Sequence, residues 1–311
     1  MNPILSVIIP VYNHGPYIKQ AINSVLMQKT QYSLEVIIGE DCSTDNSREV
    51  LRQLEKELPT YFKILYREHN MFNYKIDNIA DLFRHCSGKY IIILEGDDYW
   101  TDPNKLEKQI SFLEKHPEYY AVAHNCVVVD ENSKPNGETY PECKDQECTY
   151  RHYFSDILPG QTATVMYRNF FYDVDFKKEY PEIPKGTPLD RCIYLMLLAN
   201  GRIYCMQEIM SAYRHVTTNG SSFSATYQAD FERDFKWLLA ILEYLKKNKK
   251  EWSKYAKMLL ISYLLGNLIR TKRCSLINFI KKMIKYNLWT AWHIYLVFYI
   301  RKHIGKSNIY I

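Results

Sequence analysis

The sequence predicts an α/β fold: a mostly parallel central sheet with helices on both faces. Three observations carry that reading. Short β-branched runs alternate with helical patterns through the first ninety-odd residues. The runs hold continuous apolar stretches rather than an apolar residue at every second position, as in strands covered on both faces. Polar and acidic residues cluster just after the runs, where doubly wound sheets hold their ligands.

Taken in order, the strands are expected at Leu5 to Pro10, Leu34 to Gly39, Phe62 to Arg67 and Tyr90 to Leu94. Helices are expected between them at Tyr17 to Gln28, Ser47 to Glu57 and around Ile79 to His85. A helix near Asn104 to Lys115 and a strand near Ala121 to Val129 follow. Next come a loop rich in Pro, Gly and charge from Asp130 to Glu147, and a strand near Ala163 to Tyr167. A helix from Leu189 to Asn200 is expected to stop at Gly201 as its C-cap. From Tyr227 onward the pattern is helical almost throughout.

The net charge of +5 conceals an asymmetry: residues 246 to 311 hold 15 of the 40 Lys and Arg but one of the 35 acids, Glu251. An acidic body joined to a basic, aromatic tail implies an anionic partner for the tail. The eight cysteines include no CxxC pair and no regular spacing. They read as reduced, buried thiols in a reducing compartment. The first apolar run is broken by Pro10 and Asn13 and has no basic stretch before it. It is no secretory signal, and a cytoplasmic protein is expected. Neither GxGxxG nor GxxxxGK[ST] occurs, which weighs against dehydrogenases and kinases.

Glu95, Asp97 and Asp98 put three carboxylates in four positions directly after an apolar run. Such a density of negative charge calls for a cation or strong donors. Mg²⁺ or Mn²⁺ answers that call, being held by one or two carboxylates plus substrate phosphates. An isolated acidic triplet reads equally as a helix cap or a solvated turn. The second cluster, Glu40-Asp41-Cys42-Ser43-Thr44-Asp45, suits hydrogen bonds from a base or ribose, and Asp45 or Ser47 also suits the N-cap of the next helix. By itself Asp190 would be read as an N-cap after Pro188, and Trp100 as core.

The order SVIIPVYN (Ser6 to Asn13), EDCSTD (Glu40 to Asp45), GKYIIILEGDDYW (Gly88 to Trp100) and TPLDRCIYLMLLANGRI (Thr187 to Ile203) resembles family 2 glycosyltransferases of the GT-A fold. The closing Tyr213-Arg214-His215 strengthens the likeness, which covers about the first 220 residues. The resemblance implies a uridine pocket lined by Pro10, Tyr12 and Asn13, with Asp41 on the base and Asp45 supporting that loop. It implies that Asp97 ligates Mn²⁺ or Mg²⁺, that Glu95 contacts ribose or the metal through water, and that Asp98 is the additional acid after the DXD motif. Asp190 falls at the catalytic base. His215 is expected on the metal and Arg214 on the donor's diphosphate. Three departures stand out: Glu95 where Asp is usual, Asn70-Met71-Phe72 and Asp77-Asn78 in place of Asn-x-Gly and Arg-Asn, and Leu189 where an acid often precedes the base.

The expected organisation is a catalytic domain over residues 1–225 and a helical extension over 226–311. Residues 1–100 would bind the nucleotide and 101–225 the acceptor. Within the tail, Lys281, Lys282, Lys285, Arg301 and Lys302 flank Trp289 and Trp292. Its helices are too short to span a bilayer. They suit the headgroup region of an anionic membrane, or packing on the catalytic domain or a second subunit. The function expected is inverting transfer of a sugar from a nucleotide diphosphate to a saccharide or lipid-linked acceptor. A membrane-docked scaffold and a sugar nucleotidyltransferase are the competing readings. The latter would want a Gly-rich basic loop where this chain has Asn13-His14-Gly15-Pro16.

Overall fold

The apolar run at the N-terminus forms β1 (Leu5–Val11), whose Leu5, Val7, Ile8 and Ile9 are all fully buried. Continuous burial along a strand requires cover on both faces, which is why the run lacks a polar alternation. The computed structural model describes residues 3–71, 78–169, 189–216 and 230–304. Strands β2 (Leu34–Glu40) and β4 (Tyr90–Ile93) flank β1 in parallel, and β3 (Phe62–Tyr66) lies parallel outside β2. Helix α1 (Ile18–Leu26) covers the sheet with Ile18, Ala21, Ile22 and Val25, an i, i+3, i+4, i+7 stripe. Each such side chain contributes about 1.5–3 kcal/mol by leaving water.

Beyond β4 the direction changes. Strand β8 (Met166–Arg168) runs antiparallel between β4 and β6 (Tyr119–Val129), and the long β9 (Arg202–Arg214) lies parallel to β6. Short strands β5 (Tyr99–Trp100) and β7 (Glu147–Cys148) pair antiparallel with β9. The order β3-β2-β1-β4-β8-β6-β9-β5 makes a nine-stranded sheet with β7 also on β9. The chain winds outward from β1 to β3 and then returns to the other side of β1. Strands β1 and β4 therefore define a topological switch point, where a crevice opens beyond their carboxyl ends.

Helices α2 (Ser47–Leu54), α3 (Asn78–Phe83), α4 (Lys105–Lys115) and α6 (Leu189–Asn200) fall where the periodicity predicts them. The short α5 (Tyr150–Phe154), together with β5 and β7, is too brief to leave a pattern. The strand expected near Ala163 to Tyr167 is β8, but it starts only at Met166: Thr162–Thr164 is a 3₁₀ turn, in which the Gln161 side chain accepts the Ala163 N–H at 2.7 Å. Gly201 does end α6, but not through a left-handed backbone. A Cβ there would sit 2.7 Å from the Tyr120 Cβ, so it is close approach that demands glycine. Trp100 is 1% exposed and donates its indole N–H to the Ala163 carbonyl at 3.0 Å, a core side chain as expected.

The chain divides into two compact units, the first of Met1–Phe176 and Asp190–Tyr227 and the second of Lys177–Leu189 and Gln228–Ile311. In the second, α7 (Phe231–Asn248), α8 (Ser253–Ile269), α9 (Leu276–Lys285) and α10 (Trp292–Ile304) follow one another. A 3₁₀ turn at Leu288–Ala291 begins the last segment, after Asn287 in a left-handed conformation (φ 50°). Among the described residues no helix is long and apolar enough to cross a membrane.

At the end of β2, Glu40 is fully buried. It accepts the Arg48 Nε–H at 2.5 Å and the Ser43 N–H at 2.6 Å. Replacing it by alanine strands a guanidinium that is only partly solvated (29% exposed) and an amide. Glu40→Ala is expected to cost about 3 kcal/mol, lowering the thermal midpoint by roughly 6–10 °C. A variant melting within about 2 °C of wild type would show that the pair does not hold this loop.

Candidate active site

The loop after β1 and the loop after β2 are joined by side chains of each acting on the backbone of the other. Asn13, in a left-handed conformation (φ 57°), accepts the Thr44 N–H on its side-chain oxygen at 2.8 Å. Its own N–H goes to Ser43 Oγ at 3.0 Å. His14 N–H donates to Ser47 Oγ at 2.8 Å and Gly15 N–H to Asp45 Oδ2 at 2.9 Å. Asp45 also accepts the Ser47 N–H at 2.9 Å, so it both starts α2 and ties the two loops. Asp41 is 6% exposed and accepts the Met71 N–H at 2.6 Å. Tyr12, by contrast, is 41% exposed, and Pro10 is half-buried at the end of β1.

Across the switch point, the turn after β4 carries Glu95, Asp97 and Asp98. The Gly96 N–H donates to the Pro10 carbonyl at 3.1 Å, and a Cβ on Gly96 would lie 2.6 Å from His14 Nδ1. Only glycine lets the acidic turn close against the β1 loop this tightly. Asp98 is 1% exposed; it accepts the Arg214 backbone N–H at 2.7 Å and a Gln161 amide N–H at 2.7 Å. The same amide nitrogen donates to Glu95 Oε2 at 3.0 Å. Burial, followed by the charges of Asp97 and Asp190, pushes the Glu95 carboxyl up to about 8. Burial and the charges of Asp97 and Glu95 raise Asp98 as well.

Asp190 stands in the first turn of α6, where Oδ1 accepts the Arg191 N–H at 2.8 Å. Burial raises its carboxyl, and its charge is felt by Glu95, Tyr140 and Tyr194. Asp190 is therefore near enough to the acidic turn for its charge to act on Glu95. Pro188, the Asn-x-Gly counterpart at Phe72 and the residue Asp77 lie outside the described residues.

One expectation is corrected here. Arg214 does not reach toward a diphosphate: it is 1% exposed and all five of its side-chain N–H groups meet protein acceptors. Nε–H goes to the Asp97 carbonyl at 2.8 Å, Nη1 to the Asp130 and Glu131 carbonyls, and Nη2 to Gln20 and Ser133. Its guanidinium also lies 4.3 Å from the Tyr17 ring centroid. Arg214 is a clamp beneath the acidic turn. His215 Nδ1 pairs with Glu138 Oε2 at 2.5 Å. Arg214 points inward at the end of β9, and the next side chain faces away from it. The imidazole near Asp97 belongs to His14, with Nε2 3.8 Å from Oδ2. Neither His14 nor Gln161 carries a local sequence signal, since each acts through a partner on another strand.

The acidic turn fits a divalent cation. Arg214 supports its backbone without neutralising a carboxylate, and His14 leaves Nδ1 buried without a hydrogen-bond partner. Burial raises Glu95 and Asp98 most and the neighbouring carboxylates raise them further, and a cation on Asp97 would relieve that second part.

A mostly parallel sheet with an acid-lined crevice at its switch point and antiparallel strands beyond it defines the GT-A class of α/β protein. The profile of Glycosyl transferase family 2 matches residues 6–175, and the chain belongs to that family. The putative teichuronic acid biosynthesis glycosyltransferase TuaG of Bacillus subtilis is 30% identical over 223 residues, 71% of this chain and 82% of TuaG. The chain spans 58% of the length of an uncharacterized Mycobacterium tuberculosis protein to which it is 31% identical over 216 residues, 68% of this chain. Among solved structures, S. aureus TarS 1–349 in complex with UDP-GlcNAc superposes with a TM-score of 0.64 at 18% identity, covering 97% of this chain and 81% of that one. The mannosyltransferase PcManGT from Pyrobaculum calidifontis, in complex with GDP-Man and Mn²⁺, gives 0.50 at 16% identity, covering 99% and 89%.

Proposed function

We propose that this chain transfers a sugar from a nucleoside diphosphate donor, a UDP-sugar, to an acceptor hydroxyl with inversion at the anomeric carbon. The observation that carries the proposal is the meeting of Glu95, Asp97 and Asp98 with Asp190 at the β1/β4 switch point. Tyr12 offers an exposed ring face to the base, Pro10 and Asn13 shape its loop, Asp41 accepts from the base, and Asp45 holds the two loops together. Asp97, with Glu95 and Asp98 behind it and His14 beside it, holds Mn²⁺ or Mg²⁺. A bound cation supplies Lewis-acid stabilisation of the departing diphosphate. Asp190, as carboxylate, takes the proton of the acceptor hydroxyl as that oxygen attacks the anomeric carbon opposite the leaving group. No second protein carboxylate is needed to protonate the leaving group. The UDP-GlcNAc bound to TarS supports a uridine donor, the Mn²⁺ of PcManGT supports the cation, and the name of TuaG supports a polysaccharide acceptor.

The test is a panel of UDP-, GDP- and dTDP-sugars, with and without Mn²⁺, followed by thermal stabilisation and slow donor hydrolysis. Cation-dependent stabilisation and hydrolysis of one UDP-sugar are expected. Stabilisation without any turnover, with acceptor fractions supplied, would favour the scaffold reading instead.

The helical unit has a bearing on the acceptor. In α9, Phe279 and Met283 are buried, while Leu276, Ile277, Ile280 and Ile284 are 60%, 67%, 42% and 66% exposed beside Lys281 and Lys285. An apolar ridge edged with lysine suits the surface of an anionic bilayer, which would bring a lipid-linked acceptor to the enzyme. Cosedimentation with phosphatidylglycerol vesicles is expected to fall at least tenfold in Ile280→Glu/Ile284→Glu. Vesicle binding unchanged by the pair, with a dimer broken by it in light scattering, would assign the ridge to a second subunit.

A further inference from the structure

Three cysteines that share no sequence motif meet on the side of the sheet where β7 pairs with β9. Cys143, Cys148 and Cys205 are 0%, 3% and 2% exposed, and the Cys143 sulfur lies within hydrogen-bonding reach of both other thiols. His152 joins them: its ring nitrogen and the sulfurs of Cys143 and Cys148 all lie within 4.8 Å of one another. The segments that bring these residues together are distinct. Cys143 lies in the loop after β6, anchored by its N–H to the Leu158 carbonyl at 2.8 Å. Cys148 ends β7, Cys205 lies in β9 with its N–H on the Gln146 carbonyl at 2.8 Å, and His152 lies in α5.

We propose that Cys143, Cys148, Cys205 and His152 form a structural zinc site. Four ligands at about 2.0–2.3 Å from a tetrahedral ion stand roughly 3.3–3.8 Å apart; Cys143, Cys148 and His152 already lie within 4.8 Å of one another, and Cys205, beside Cys143, would close on the ion as the fourth ligand. Buried thiols often act only as small apolar side chains. Here, however, a polar imidazole is gathered among them, and its outer partner is of the kind that zinc-bound histidines use. His152 Nε2 lies 2.9 Å from the Asp145 carboxylate, which fixes Nε2 as the N–H and turns the Nδ1 lone pair into the ligand atom. Nδ1 now accepts from Thr149 N at 3.1 Å and lies 3.0 Å from Thr149 Oγ1, contacts that zinc would replace. Each cysteine gives up its thiol proton to solvent on binding. The site lies apart from the acidic turn, and its hard-cation chemistry differs: thiolate and imidazole select zinc, whereas carboxylates select Mg²⁺ or Mn²⁺.

Its purpose follows from the segment it closes. Residues 130–146 have no regular structure beyond isolated bridges at Pro135 and Glu142. Yet this segment delivers the Asp130 and Glu131 carbonyls to Arg214 and places Tyr140 within the field of Asp190. A zinc ion joining Cys143 and Cys148 to Cys205 pins the far end of that segment to β9.

The test is zinc content of the full chain purified without chelator, by elemental mass spectrometry, with Cys148→Ser, Cys205→Ser, His152→Ala, Cys86→Ser and Asp97→Ala compared. About one zinc per chain is expected in wild type, Cys86→Ser and Asp97→Ala. A tenfold lower content is expected in Cys148→Ser and Cys205→Ser. Co²⁺ exchanged into wild type should show the intense thiolate-to-metal absorption of a tetrahedral site. Wild-type protein purified in zinc-supplemented medium with negligible zinc, or with its mass lowered by the two hydrogens of a disulfide, overturns the proposal. Zinc lost in Asp97→Ala but kept in the cysteine variants overturns it too, by placing the metal at the acidic turn. Should the serine variants fail to fold, the zinc content and cobalt spectrum of wild type decide alone.

Discussion

Asp190→Asn is expected to lower turnover by about 10³-fold while leaving donor affinity within about threefold of wild type, the size of effect that a general base supplies. The asparagine keeps the shape of the side chain and its hydrogen bond from the Arg191 N–H, but it cannot take a proton. Burial raises the Asp190 carboxyl, so the working carboxylate is present only above that raised value. The kcat/KM profile should therefore fall as pH falls, with its acid limb above the ordinary carboxylate range. A raised folded-state value also means that this group costs stability as pH rises from its ordinary value through its folded one. Asp190→Asn removes that cost, and at neutral pH the variant should melt higher than wild type. A variant with normal turnover, or one that loses donor binding together with turnover, would remove Asp190 from the role of base.

The second large effect is expected at Asp97. Asp97→Asn should abolish the Mn²⁺ dependence of donor binding and lower kcat/KM by roughly 10²–10³-fold, comparable to the loss of a charge-stabilising group. The variant should fold normally. Its backbone carbonyl still meets Arg214 Nε–H, and one source of repulsion on the buried Glu95 and Asp98 is gone. Titration of donor binding against Mn²⁺ is the informative measurement. An undiminished response in Asp97→Asn would move the cation to Glu95 or Asp98.

The architecture was legible early because it rests on local pattern. A strand covered on both faces is apolar through consecutive positions, and the stretches Val7 to Ile9, Val36 to Ile38 and Tyr90 to Leu94 declare this without reference to anything distant. Acids placed straight after such runs marked the crevice, since strand ends and ligand sites coincide in wound sheets. Antiparallel β5, β7 and the upper half of β9 were less visible, being short, or long with mixed polarity on one face.

Within the candidate site, the acids proposed for roles, Asp41, Asp45, Glu95, Asp97, Asp98 and Asp190, were picked out in the sequence by their own chemistry and their place in the motif order. Residues whose roles depend on partners far along the chain could not be named this way. Arg214 looked like a donor ligand until its five N–H groups were traced to Gln20, Asp97, Asp130, Glu131 and Ser133. His14 carried no signal of its own in the sequence, and only the closing of Gly96 against the β1 loop put it beside Asp97.

The cysteines show the same division most sharply. Spacings of five, four and fifty-three residues through Cys143, Cys148, His152 and Cys205 carry no motif. Antiparallel pairing of β7 with β9 and the turn into α5 carry Cys143, Cys148 and His152 into one cluster, with Cys205 beside Cys143. By itself the sequence determined the buried strands, the acids at their ends and the basic tail, because hydrophobic periodicity and charge act locally. The tertiary structure alone decided which buried polar groups meet, because strand order and register set those distances.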